Sequence, residues 1–213
     1  MKRLHRFGPW AGALVLLVLG AAGCSNQQVS RIDPGTVTDL SGRWNDTDSR
    51  LVANALIEQS LLGPWLDRYA TGHGGDAPTV IVGDFRNRSQ EHIPVQTFVN
   101  DLESAYINSG AVTVVASGKE REDIRGERDD QQEFARADTR AALGQELGAN
   151  YILQGELSSI ADEEETMRYG ATRKEKIVFY QVDARLVDLE SNAVVWAGQH
   201  KIKKYIERKP FGL

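Results

Sequence analysis

Apolar positions along the chain fall into three rhythms. In "DTDSRLVANALIEQSLLGP", Val52, Ala55, Leu56 and Leu62 recur at helix-like intervals. Thr47, Asp48 or Ser49 offers an N-cap and Gly63-Pro64 a stop, so a helix is expected over about 48–62. "WLDRYA" adds a further turn, and "TGHGGDAP" reads as a loop. "TVIVGDF" is instead a continuous apolar run of strand length, the pattern of an interior strand covered on both faces. Beyond the loop "RNRSQEHI", Pro94 suits the first turn of a helix. Val95, Phe98, Val99, Leu102 and Tyr106 then fall at i, i+3, i+4, i+7 and i+11 before Gly110, the clearest amphipathic helix in the chain. "VTVVA" follows as a second buried strand, and the three elements make a βαβ unit with a right-handed crossover.

The segment "KEREDIRGERDDQQEFARADTRAALGQELG" divides into two helices, about 119–132 and 137–147. Lys119 and Asp123, and Arg125 and Asp129, stand four apart on a solvated face. "ANYILQGELSSI" is a third strand, and "ADEEETMRYGATRKEK", residues 161–176, reads as a long exposed loop or hairpin tip. The third rhythm is strict alternation. Val178, Tyr180, Val182, Ala184 and Leu186 share one face, with Gln181, Asp183 and Arg185 on the other, and "AVVWAGQHKI" repeats the pattern with Val194, Trp196, Gly198 and Ile202. These two strands predict an antiparallel hairpin with one covered and one wetter face. The elements together predict an α/β fold: a mixed five-stranded sheet, parallel in its central part and antiparallel in its C-terminal hairpin, with helices packed on its faces.

The N-terminus follows other rules. "MKRLHRFGPW" carries Lys2, Arg3 and Arg6 with no acid, and "AGALVLLVLG" is an uncharged apolar run. About ten apolar residues fall short of the roughly 20 that cross a bilayer as a helix, so residues 1–23 read as a secretory signal peptide. Small residues Ala21, Ala22 and Gly23 precede Cys24, the only cysteine in 213 residues. A lone thiol exported to an oxidising compartment has no partner within the chain. "LGAAGCSN" resembles a bacterial lipobox, which implies acylation of Cys24 and a stable membrane anchor of several acyl chains. Ser25, where an Asp would resemble an inner-membrane retention signal, points to the outer membrane.

Removing the signal deletes three basic side chains and no acid, taking the formal charge from −5 to −8 and making nucleic acid an improbable partner. Residues 24–46 read as a lipidated cysteine and polar tether, which would reach about 70–80 Å fully extended. Trp44 on that segment is expected to dock onto the domain at 47–213, which is of ordinary single-domain size.

Catalytic chemistry is sparse. No G-x-S-x-G occurs, and the cysteine is committed to the anchor. His73, His92 and His200 have no spacing that pairs two on one helix face, so neither a metal nor another cofactor is expected. Asp84, Arg86, Asn87, Arg88 and Ser89 stand at the exit of the first strand, where open α/β sheets place ligand contacts. They form either a partner-binding loop or a turn held by the Asp84 and Asn87 side chains. "KIKKYIERK" reads as a charged edge strand that resists aggregation, or as a surface for an acidic partner.

The lipobox, the polar tether, "DLSGRWNDTDS", "VIVGDFRNRS", the helix after Pro94, "LGANYILQGELSS" and "VVWAGQ" together resemble the LpoB family over about residues 47–205. The resemblance implies a sandwich related to the N-terminal domain of TolB and to CsgG. It also implies a non-enzymatic outer-membrane lipoprotein, facing the periplasm, that binds and activates a bifunctional penicillin-binding protein and so stimulates peptidoglycan synthesis. Two features depart from the family pattern: the tether lacks a long proline-rich stretch, and the charged insertion at 161–176 is large. The alternative, a CsgG-like assembly or secretion subunit, requires segments of roughly 10 residues alternating apolar-out. Residues 161–176 are crowded with charge instead.

Overall fold

The computed structural model describes residues 30–134, 136, 146–168 and 171–208. Cys24, the signal segment and most of the helix expected over 137–147 lie outside the described residues. Two compact units divide the chain, Met1–Thr36 and Val37–Leu213. In the described part of the first, Asp33 closes a turn, its Oδ1 accepting the Gly35 N–H at 2.6 Å and its carbonyl the Thr36 N–H at 3.0 Å.

The second unit begins its regular structure with helix α1, Asp46–Leu61. Its cap is Asn45 rather than Thr47, Asp48 or Ser49. The Asn45 side chain accepts the Asp48 N–H and the Asp48 carboxylate accepts the Asn45 N–H, both at 3.0 Å, a reciprocal capping box that satisfies two otherwise orphaned donors. Helix α2, Pro64–Gly72, starts on Pro64 and buries Trp65, whose indole N–H donates to the Ser60 carbonyl at 2.7 Å. Strand β1 is Thr79–Asn87, helix α3 is Val95–Ser109, and strand β2 is Thr113–Val114. Helix α4, Gly118–Phe134, leads to three long strands: β3, Tyr151–Arg168; β4, Ala171–Asp188; and β5, Val194–Arg208.

The sheet order is β2-β1-β3-β4-β5. β1 is parallel to β2 and β3, and β4 is antiparallel to β3 and β5, the mixed five-stranded α/β arrangement expected from the patterning. α1 and α3 pack on each other and onto β5 and β1. The buried apolar strand residues share one face, here called inner: Val80, Val82 and Phe85 of β1, Leu153 and Leu157 of β3, and the alternating Val178-to-Leu186 row of β4. All five predicted apolar positions of α3 are buried or half-buried, and Gly110 ends it at φ 64° in the left-handed region that glycine tolerates. Gly155 is demanded by packing: a Cβ there would lie 2.5 Å from Cε1 of the Phe85 ring and 2.2 Å from the Asp183 carbonyl oxygen.

Two strand expectations are corrected, and one open alternative is decided. β1 is interior to the sheet but, beyond Thr79, buried on one face only; Asp84 and Arg86 are exposed on the other, because the apolar run stops at Gly83. "VTVVA" forms a two-residue strand at the sheet edge, with Thr113 exposed and Val114 half-buried, rather than a buried strand. Residues 161–176 form the hairpin tip rather than the loop, the two forms expected for them, since β3 and β4 remain paired out to Arg168 and Ala171. Their charges explain why: the acidic arm faces the basic one across the ladder, with Glu163 opposite Lys176 and Glu165 opposite Lys174, the latter pair 2.7 Å apart. Charged side chains occupy both faces of these arms, so they present no apolar lipid-facing side. Among the described residues no helix is long and apolar enough to cross a membrane.

The segment 38–49 straps the N-terminal side of α1 to the end of β5. Lys204, on the inner face of β5, is buried and donates to Asp48 Oδ2 at 2.5 Å, Asp39 Oδ1 at 2.7 Å and the Arg43 carbonyl at 3.0 Å. Asn45 Nδ2 adds bonds to the Thr38 carbonyl and Asp39 Oδ1. Trp44 docks as expected, edge-on to Phe98 and Tyr180 with centroids 6.1 and 5.6 Å away and its indole N–H on Ser49 Oγ at 2.8 Å.

Candidate protein-docking surface

Helices α1 to α3 cover the inner face, so the polar positions of β1, β3 and β4 collect on the outer one. Alternation places Asp84 and Arg86 beside Gln154 and Glu156 of β3 and Asp183 and Arg185 of β4, around a shallow hollow whose floor includes Gly155. Register fixes this grouping: Arg86 pairs with Glu156, Glu156 with Asp183, and Gln154 with Arg185. Gln181 and Gln199 each donate to Asp183, at 2.8 and 2.6 Å, and thereby set its carboxylate in place.

Towards the hairpin arms the same face turns apolar. Ile160 lies opposite Phe179, and Ile177 opposite Tyr205. Ile160 is 67% exposed and Tyr205 57%, with Lys201 and Lys203 exposed on the neighbouring strand. A cluster of aromatic and aliphatic side chains rimmed by charge has the composition of a protein-docking centre. Its strand-borne side chains are fixed by pairing rather than by loop conformation.

The five residues singled out from sequence divide between two places. Asp84 and Arg86 stand on the outer face. Asn87 and Ser89 fold into the following turn: Asn87 Oδ1 accepts the Ser89 N–H at 2.9 Å and its hydroxyl at 2.7 Å, while Asn87 Nδ2 donates to the Glu91 carbonyl at 2.8 Å. Arg88 is exposed, its backbone N–H on the Leu157 carbonyl at 2.7 Å. The turn in turn positions Glu91, which takes the Tyr180 hydroxyl at 2.6 Å and the Trp44 N–H at 3.2 Å. Burial, then the bond to Glu91 and its charge, raise the Tyr180 phenol well above the ordinary range, so it serves as a fixed donor. Sequence reasoning missed Glu156, Asp183, Arg185 and Gln199 as neighbours of Asp84 and Arg86. The signal was present for β4, whose wetter face was read correctly, but its place beside β1, across β3, is a tertiary fact. Among the described residues no three His, Cys, Asp or Glu side chains converge as a metal site.

The family model of the peptidoglycan-synthase activator LpoB matches residues 48–202. Among solved structures, the chain is similar to the LpoB C-terminal domain from Escherichia coli, with 16% identity over 66% of this chain and 94% of that one and a TM-score of 0.35. It is similar to the same domain from Salmonella enterica, again with 16% identity and coverages of 66% and 94%, at a TM-score of 0.33. The solution structure of E. coli LpoB matches over 89% of this chain and 87% of that one, at 14% identity and a TM-score of 0.34. No curated protein matches the sequence.

Proposed function

The chain belongs to the LpoB family of peptidoglycan-synthase activators, and from that premise we propose that it is a lipid-anchored outer-membrane regulator that binds a bifunctional penicillin-binding protein. The family match across 48–202 carries the reading. In this reading residues 1–23 are a signal peptide, Cys24 is the acylated anchor, the residues after it set the reach, and the folded unit faces the periplasm. The partner sits on the outer face of the sheet. Arg86 and Arg185 meet its acids, Asp84 and Glu156 its bases, and Ile160, Phe179 and Tyr205 provide the apolar contact. The unit contributes no reacting group. It raises glycan polymerisation and cross-linking by binding the active state of the synthase more tightly than the resting one, the only way a ligand shifts such an equilibrium.

Two measurements test it. Purified residues 37–213 are titrated into lipid II polymerisation reactions with bifunctional synthases. Stimulation is expected, and Arg86→Glu combined with Arg185→Glu is expected to weaken it at least tenfold, as reversed charges at an interface do. Unchanged stimulation by that variant refutes the assigned face, and absence of any binding to a bifunctional synthase refutes the function. For the anchor, labelled palmitate is expected in the wild-type chain and not in Cys24→Ser; equal labelling of both sinks it.

A further inference from the structure

The inner face of the hairpin arms and the strap at Ser41–Arg43 enclose a cleft distinct from the docking face. Two adjoining cavities of about 140 and 320 Å³ share Arg43, Glu91, Lys176 and Val178 in their walls. Val178, Ala161 and Ile206 give the cleft an apolar floor. Among the described residues, Arg43, Lys174, Lys176 and Arg208 line it against two carboxylates, Glu91 and Glu163. Glu91 is already engaged by Tyr180 and Trp44, and Glu163 lies a loose 3.9 Å from Lys176. Among the described residues, neither the Arg43 nor the Arg208 guanidinium has an ion pair or hydrogen bond.

The ladder sharpens the point. Lys174 stands directly opposite Arg208, and one residue on, Glu175 stands directly opposite Glu207. Like charges so placed destabilise a sheet. On the outer face the conflict is resolved, because Arg173 bridges both carboxylates at 2.9 Å each. On the inner face Lys174 has Glu165 as a partner, but Arg208 has none and presses against the lysine, opposing the rise in its pKa that Glu165 causes. Among the described residues, none supplies a counter-ion in the place equivalent to that of Arg173.

We propose that this cleft binds a short acidic peptide, whose carboxylates take the forks of Arg43 and Arg208 and whose backbone lies along the Val178–Ile206 floor. Arginine presents two parallel donors that match a carboxylate, and an apolar floor favours a peptide over a bare inorganic anion. The size fits a few residues, since ligand cavities run from roughly 300 Å³ upward. The site is independent of the synthase reading, and its test contains no synthase.

Residues 37–213 are titrated against fluorescent tetraglutamate, its tetraglutamine counterpart and inorganic phosphate. Saturable binding of tetraglutamate is expected, with amide shifts at Gly42, Val178 and Ile206 by NMR, and with tetraglutamine and phosphate at least tenfold weaker. Arg43→Gln with Arg208→Gln is expected to weaken tetraglutamate about tenfold or more, the loss of charge-assisted hydrogen bonds. Lys201→Gln with Lys203→Gln, which removes the same charge from the outer face, is expected to change it less than twofold. Arg208→Gln alone leaves the melting temperature unchanged or raised, since it relieves Lys174, so the variant remains folded. Equal weakening by both double variants, tetraglutamine or phosphate binding as tightly as tetraglutamate, or no binding at millimolar peptide overturns the proposal.

Discussion

Replacing Lys204 by methionine perturbs the strap at its buried ion pair. Methionine keeps most of the volume and lines the same channel, so the change isolates the ammonium. The side chain is 7% exposed, and Asp48, its 2.5 Å partner, is 8% exposed. Asp39, at 2.7 Å, is 48% exposed and rehydrates readily, so its share is small. The cost comes from Asp48, left as a buried carboxylate with the Asn45 N–H as its remaining donor, and from the Arg43 carbonyl, which loses the Lys204 donor. Breaking a buried pair from one side costs about 3–5 kcal/mol. For a unit of this size a kilocalorie moves the midpoint by about 2–4 °C, so Lys204→Met is expected to lower Tm by about 10 °C in calorimetry. Adding Asp48→Asn removes the stranded charge while retaining an acceptor for the Asn45 N–H, and the double variant is expected to regain at least half of the loss. A drop under about 3 °C for the single change, or a double variant no more stable than the single, refutes the view that Asp48 depends on Lys204.

A chain starting at Val37 is expected to match one starting at Ser25 in urea midpoint, whereas one starting at Thr47 loses Trp44, Asn45 and Asp39 and unfolds at least 1 M earlier, about 2–3 kcal/mol at typical urea slopes. Gly155→Ala drives a methyl into the Phe85 ring and the Asp183 carbonyl and is expected to cost about 1–3 kcal/mol, read as a shifted urea midpoint. Burial pushes the Tyr106 phenol up to about 12. The folded state therefore keeps the proton while the unfolded chain releases it near pH 10, so stability is whole below pH 10 and falls between about 10 and 12. Tyr106→Phe is expected to flatten that fall in urea midpoints measured from pH 9 to 11.5, at a baseline cost of about 1 kcal/mol for the Ser60 hydroxyl left alone.

The sequence was most legible where one face is buried and the other wet. α3 and β4 declare themselves through period 3.6 and period 2, and their predicted core residues are those the structure buries or half-buries. The arms at 161–176 were legible only as an open choice between loop and hairpin tip, because charge density fits both. Their true signal lay in order: acids on one arm and bases on the other, at equal distances from the turn, which is electrostatic pairing written along an antiparallel ladder. Lys204 carried a similar signal, a lysine in phase with Trp196, Gly198, Ile202 and Ile206, which predicts a buried ammonium in need of acids. Which acids answer it was hidden, because Asp39 and Asp48 lie more than 150 residues away. On the proposed docking face, Asp84 and Arg86 were legible as exposed polar residues at the end of an apolar run. Their neighbours on β3 and β4 follow from a bulge between Val82 and Phe85 that shifts the register, and no local pattern reports it.

Under the proposed function, the two faces of the sheet divide the work of an anchored activator. The strap, through Asp39, Arg43 and Asp48, ties onto the inner side of β5, the side that the helices already occupy. The outer face carries neither the strap nor helices α1 to α3. Tension on the N-terminal side of the unit therefore falls on Lys204 and the capping box, not on Asp84, Arg86 or the Ile160–Tyr205 cluster. A regulator that must hold its partner while tethered needs such a separation, because any load borne by the docking side chains would subtract from the differential affinity through which it acts. In this unit the separation has a local origin: on β5, successive residues point to opposite faces, so Lys204 takes the load and Lys203 and Tyr205 stay free for contact.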